Sequence, residues 1–169
     1  MKLDLSEISN WAEFEDLSAA YFREVSQRND NQLSEVIVEP SGLGPDGGRD
    51  ILLKFRLHDS IYSFERKWVV QCKFYNKPVT KSVLSTVNIP TLIHEYGADG
   101  YLLITNITPT SGVTNMFENL GQRCKFRYSY MIWDSSVFVQ NLRMMPNLIE
   151  QYFPSYQLFL DQKKRKYNI

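Results

Sequence analysis

The chain has few of the residues that build chemistry around sulfur or imidazole. Two cysteines, Cys72 and Cys124, and two histidines, His58 and His94, are scattered through 169 residues. No pairing among them has the spacing of a zinc site, and two cysteines do not make a disulfide framework. Long apolar runs are also missing, since none approaches the ~20 residues that a bilayer span requires. Asp4 and Glu7 stand where a signal peptide would carry its apolar core, so a reducing, cytoplasmic setting is expected. Net charge is absent too: 19 acids balance 19 bases, which argues against a protein that coats polyanions indiscriminately. No internal repeat is visible.

What is present is ordinary for a soluble globular domain: 43% hydrophobic and 22% charged residues in a length that suits a single core. The charge is unevenly distributed. Residues 1–66 hold 13 acids and 7 bases, whereas residues 67–169 hold 6 acids and 12 bases. An acidic part able to hold a cation beside a basic part able to meet phosphates would give this split, as would charges that intermix on folding. One domain is expected over residues 1–154. Residues 155–169, with Lys163-Lys164-Arg165-Lys166, are expected to form a basic tail or linker.

The periodicity predicts alternating elements. Asn10 and Glu13 form a capping box for a helix with an apolar stripe through Trp11, Phe14, Leu17, Tyr21 and Val25, ending near Arg28-Asn29. Val36-Ile37-Val38 reads as a short strand stopped by Pro40, and Ser41–Gly48 as a turn-rich loop. Strands Ile51–Leu57 and Lys67–Phe74 flank a polar connection, which suggests a hairpin. Val79–Tyr96 is helical but kinked or divided at Pro90. Tyr101–Thr105 is an unbroken apolar run suited to a strand buried on both faces. Helices over Ser111–Leu120 (ending at Gly121), Asp134–Leu142 and Pro146–Tyr152, with a strand at Tyr128–Trp133, complete a mixed sheet flanked by helices.

Two segments carry the chemistry: Gly44-Pro45-Asp46-Gly47-Gly48-Arg49-Asp50 and Val70-Gln71-Cys72-Lys73. The first leads into a strand and the second closes one. If the strands are neighbours, the Asp50 carboxylate and the Lys73 ammonium meet at one edge of the sheet. A carboxylate-held cation with a lysine beside the attacking water suits phosphodiester hydrolysis. Gln71 and Lys73, two apart on a strand, share a face, and Cys72 points the other way. Asp50 is alternatively a turn residue and Lys73 an edge-strand charge.

These segments, with Phe14-Glu15-Asp16-Leu17 and Asp99-Gly100-Tyr101-Leu102-Leu103-Ile104-Thr105-Asn106, resemble the Mrr-type branch of the PD-(D/E)XK restriction-endonuclease-like superfamily. The resemblance runs from about Trp11 to about Pro154. It implies an α/β restriction-endonuclease-like core and a metal-dependent DNA endonuclease, using Mg²⁺ or Mn²⁺, in bacterial defence. The implied site comprises Glu15, Asp50, Gln71 and Lys73. Its metal ligands would be Asp50, Glu15, Gln71 and the main-chain carbonyl of Cys72. Gln71 stands where many superfamily members carry an acid, although glutamine is usual in the Mrr-like branch.

Asp46 is the alternative acid if Asp50 points away, and Glu39 a secondary one. Arg49, Lys67, Lys77 and Lys81 are the foremost candidates for DNA contact, with Arg123, Lys125 and Arg127 also available. Tyr75, Tyr101, Tyr128 and Tyr130 are assigned to the core or sheet surface, with base stacking as the alternative. No sequence-reading module is visible, so target choice is expected from an added domain, a partner or a homodimer. The rival functions are a catalytically silent binding module of the same fold, a junction resolvase or RNA-cutting member, and a protein-interaction domain.

Overall fold

The computed structural model describes residues 1–27, 33–40, 49–59, 61–124 and 127–167. The loop expected over Ser41–Gly48, and Asp46 with it, lies outside the described residues, as do Arg28-Asn29 and Lys125.

Strands β1 (Leu33–Pro40), β2 (Ile51–His58), β3 (Ser63–Lys73), β4 (Gly100–Thr105) and β5 (Ser129–Trp133) form one sheet in that order. β1–β2–β3 is an antiparallel meander, while β3–β4–β5 pair in parallel. Parallel neighbours require crossovers, and here helices supply them. α2 (Lys81–Leu84) and α3 (Ile89–Tyr96) lead from β3 to β4, and α4 (Ser111–Cys124) from β4 to β5. α1 (Trp11–Ser26) precedes the sheet; α5 (Ser135–Leu142), α6 (Pro146–Tyr152) and α7 (Pro154–Tyr167) follow it.

Two apolar layers sandwich the sheet. Ile51, Leu53, Val70, Cys72, Leu102 and Ile104 pack with Phe14, Leu17 and Phe138 on the face covered by α1, α5 and α6. Leu52, Val69, Tyr101 and Leu103 pack with Leu84, Ile93, Val113 and Phe117 on the face covered by α2–α4. The two-residue period of a strand produces this sorting, and β4 is buried along its whole length because both its faces are covered.

Several expectations change in detail. Pro90 sits in the first turn of α3, where its missing amide costs nothing, so the segment becomes two helices. Gly121 lies inside α4, which continues to Cys124. β3 begins at Ser63, earlier than the apolar pattern indicates, because its first residues through Arg66 are exposed and carry no alternation. Pro154–Tyr167 form helix α7, with Tyr156 and Leu160 packed against the core. Trp11 is exposed and stands off the buried face of α1.

Candidate active site

The reactive groups converge because β2 starts one residue too late to complete the β2–β3 ladder. Ile51 pairs with Val70, and the register carried one step further sets Asp50 opposite Gln71. The Asp50 amide still donates to the Val70 carbonyl at 2.9 Å. Its carboxylate then takes the place of a strand carbonyl, with Oδ2 accepting the Cys72 amide at 2.5 Å. In a strand, the N–H and C=O of a residue point the same way, so the Cys72 carbonyl lies on the same side of β3 as Asp50. Asp50 is therefore pinned by the backbone beside the C-terminal end of β3.

The period of β3 sets Gln71 and Lys73 on the face of Val69, with Asp50 at its margin. Gln71 is fully buried and Lys73 half-buried. The Gln71 oxygen accepts a 2.6 Å hydrogen bond from the Tyr101 hydroxyl on β4. Asn106, just past β4, holds the chain after Lys73. Its amide donates to the Lys73 carbonyl at 3.3 Å, and its side chain bonds both the amide and the carbonyl of Tyr75 at 2.9 Å.

Glu15 reaches this end of β3 from the other layer. Its neighbour Phe14 is buried against Phe74 and Phe138, with centroids 5.5 and 5.8 Å away, which fixes α1 over the residue that follows Lys73. One turn on, Ser18 Oγ donates to the Phe14 carbonyl at 2.8 Å and lies beside the Cys72 sulfur, where it opposes the rise of the thiol's pKa. Burial drives the Cys72 thiol far above its ordinary range; the negative charges of Asp50 and Glu15 raise it further, and the Lys73 charge opposes them. Glu15, Asp50 and Lys73 thus lie within electrostatic reach of one sulfur atom. Cys72 is inert as a nucleophile there, since a thiol held that high stays protonated.

The other expected contacts are more dispersed. The Arg49 guanidinium lies 4.7 Å from the centroid of the Tyr96 ring, tying the approach to Asp50 onto α3. Lys77 and Lys81 are exposed on the segment that leaves β3 and enters α2. Lys67 is six residues before Lys73, roughly 20 Å along the strand, and its ammonium pairs with Glu65 at 3.3 Å. Glu39 pairs with Lys54 on the neighbouring strand. Tyr101 is core, whereas Tyr75 is exposed. Arg127 stacks on Tyr128, with 5.3 Å from its guanidinium to the ring centroid. Beside Phe74 and Asn106 opens a groove of about 720 Å³, to which Lys2, Ser135, Ser136 and Arg143 also contribute. It lies at the carboxyl ends of the parallel strands, where open sheets of this kind place their ligands.

The Tyr101–Gln71 bond and the Asn106 clamp carry no local sequence signal. Both residues lie in the quoted Asp99–Asn106 segment, and the parallel register Gln71↔Leu103 and Lys73↔Thr105 is what brings them to the site. Pairing of strands distant in sequence was the missing information.

A five-stranded mixed sheet with helices on both faces is the fold of a restriction-endonuclease-like nuclease domain. Residues 6–122 match the Mrr_cat restriction endonuclease family, and the chain belongs to it. Among solved structures, the fold is similar to that of the MspJI restriction endonuclease in complex with a 27-mer oligonucleotide. The TM-score is 0.52 at 15% identity, covering 78% of this chain and 27% of that one. The DNA modification-dependent restriction endonuclease AspBHI gives a TM-score of 0.48 at 14% identity, covering 94% of this chain and 43% of that one. The chain therefore spans less than half the length of either neighbour. No curated protein matches it by sequence.

Proposed function

We propose that this domain is a metal-dependent endonuclease that hydrolyses phosphodiester bonds in DNA, in the service of bacterial defence. The observation that carries the reading is the Asp50 carboxylate, fixed by the Cys72 amide, at the β3 end that also bears Gln71 and Lys73. Family membership supports the nuclease chemistry, and the oligonucleotide held by the MspJI neighbour supports a nucleic-acid substrate.

The donor set fits a hard cation. Asp50, Glu15 and the Cys72 carbonyl offer oxygen, and Mg²⁺ or Mn²⁺ binds through one or two carboxylates while keeping several waters. Among the described residues there is no group of three or more His, Cys, Asp or Glu side chains that could hold a metal ion. When bound, such an ion lowers the pKa of its water and stabilises charge developing on phosphorus. The protein's own part is positional. Asp50 is held by a backbone donor, α1 carries Glu15 on the Phe14 anchor, and Lys73 supplies a positive charge for the attacking water or the phosphate. Lys77, Lys81 and the groove bearing Lys2 and Arg143 offer phosphate contacts along the same edge. Target choice is assigned to a further domain, a partner or a second copy.

The test separates binding from chemistry. Lys73→Met should bind duplex DNA in Ca²⁺ with wild-type affinity to within about threefold yet cut at least about a hundredfold more slowly in Mg²⁺. A variant that cuts normally would remove Lys73 from the mechanism. A wild type that binds but never cuts would favour the silent binding module.

A further inference from the structure

Gln71 is fully buried, and its side-chain nitrogen has no hydrogen-bond partner among the described residues. Its oxygen is the acceptor of the Tyr101 hydroxyl at 2.6 Å. The contact has O–H···O geometry, with the Tyr101 hydroxyl donating and the amide oxygen accepting. The phenol is itself fully buried, packed on Phe117 with centroids 5.9 Å apart. A phenol is protonated and able to donate at neutral pH. A planar amide carries its two polar atoms on opposite branches. With the oxygen committed to Tyr101, the nitrogen is turned away from that hydroxyl, on a side chain that the strand period sets on the same face of β3 as Lys73.

We infer that Tyr101 is a positioning residue that fixes Gln71 so that its amide nitrogen, rather than its oxygen, serves the site. Gln71 then donates a hydrogen bond to an anionic phosphodiester oxygen and is not a metal ligand. The inference rests on the endonuclease reading and deepens it. An unpaired donor buried in a core is costly, and an anionic oxygen arriving with substrate would satisfy it. The same arrangement explains how glutamine stands where an acid would otherwise be expected. With Asp50 and Glu15 supplying the negative charge, the third position is free to meet the substrate's charge with a donor.

The experiment uses the full chain and reads metal and DNA separately. Mn²⁺ affinity is measured by electron paramagnetic resonance, and duplex affinity in Ca²⁺ by fluorescence anisotropy. Cleavage is followed in Mg²⁺, and cooperative melting confirms that each variant folds. Gln71→Met keeps the volume and loses both polar atoms; Gln71→Glu keeps an acceptor for Tyr101 and loses the donor; Tyr101→Phe removes only the hydroxyl. The expected result is Mn²⁺ affinity within about twofold of wild type for Gln71→Met and Tyr101→Phe, against loss of Mn²⁺ binding in Asp50→Ala. Cleavage should fall about tenfold or more in Gln71→Met and Gln71→Glu, and by a smaller factor in Tyr101→Phe. Mn²⁺ binding weakened tenfold by Gln71→Met, or full cleavage by Gln71→Glu, would overturn the donor assignment while leaving the nuclease intact. Unchanged cleavage and DNA affinity in Tyr101→Phe would remove the positioning role. A wild type that neither binds Mn²⁺ nor cuts would overturn both readings together.

Discussion

Asp50 does two jobs that substitution can separate. Its Oδ2 is the acceptor for the amide of Cys72, a residue only 6% exposed, at the point where β2 no longer reaches β3. Asp50→Ala leaves that amide without its partner, and orphaning a buried donor costs about 1–3 kcal/mol. Asp50→Asn retains an acceptor oxygen. Both variants remove the same negative charge, so any relief of repulsion is common to them and cancels in the comparison. Asp50→Ala should therefore be about 2 kcal/mol less stable than Asp50→Asn. In a domain of this size that corresponds to a melting temperature roughly 4–8 °C lower. Urea denaturation followed by circular dichroism gives the difference directly, provided the m-values agree. Equal stability of the two variants would show that the carboxylate does not complete the ladder, and the derivation of the site's geometry from strand register would fail.

Other outcomes follow from the packing and the caps. Gly100 pairs with Trp68, and a Cβ there would lie 2.6 Å from the indole Cε3, so Gly100→Ala should cost about 1–3 kcal/mol and perturb the Trp68 fluorescence. Phe14→Ala should destabilise by about 3–5 kcal/mol, whereas Phe14→Leu should cost less while loosening α1 enough to slow cleavage. Acid should weaken the fold. Donors from Ser6, Ser9 and Ile61 hold Asp4, Glu13 and Asp59 below their ordinary range, so the unfolded chain takes up protons first. Their contribution is complete above the ordinary carboxylate range and disappears as pH falls through the lowered values. Glu13→Gln should flatten that slope in acid titrations monitored by circular dichroism, and an unchanged slope would contradict the assignment.

The parts of the fold that were legible in the sequence are those where local signals agree with burial. The fully buried Tyr101–Thr105 run, the Asp134 cap and the Asn10 cap emerge as expected, although Glu13 reaches back to Ser9 rather than to the Asn10 amide. Where the chain leaves the core, the signal fades. Ser63–Arg66 extend β3 as an exposed part of the β2–β3 hairpin, with Arg56 opposite Glu65 and no apolar face to alternate. Gly121 reads as a stop, yet the helix passes through it because a Cβ there would meet open space and nothing requires a turn. Of the candidate site residues, Asp50, Gln71 and Lys73 lie next to strand signals, so their expected places on β2 and β3 follow from local pattern. Those of Tyr101 and Asn106 do not, because their roles depend on the parallel β3–β4 register, which local sequence does not encode.

The most direct test of the central claim is cleavage of supercoiled plasmid by the purified protein in Mg²⁺, in EDTA, and with the folded Asp50→Asn variant in Mg²⁺. The wild type should give nicked and linear products in Mg²⁺ alone and none in EDTA, and Asp50→Asn should give none despite a cooperative fold. Cutting by Asp50→Asn at the wild-type rate, or cutting that persists in EDTA, would contradict that claim.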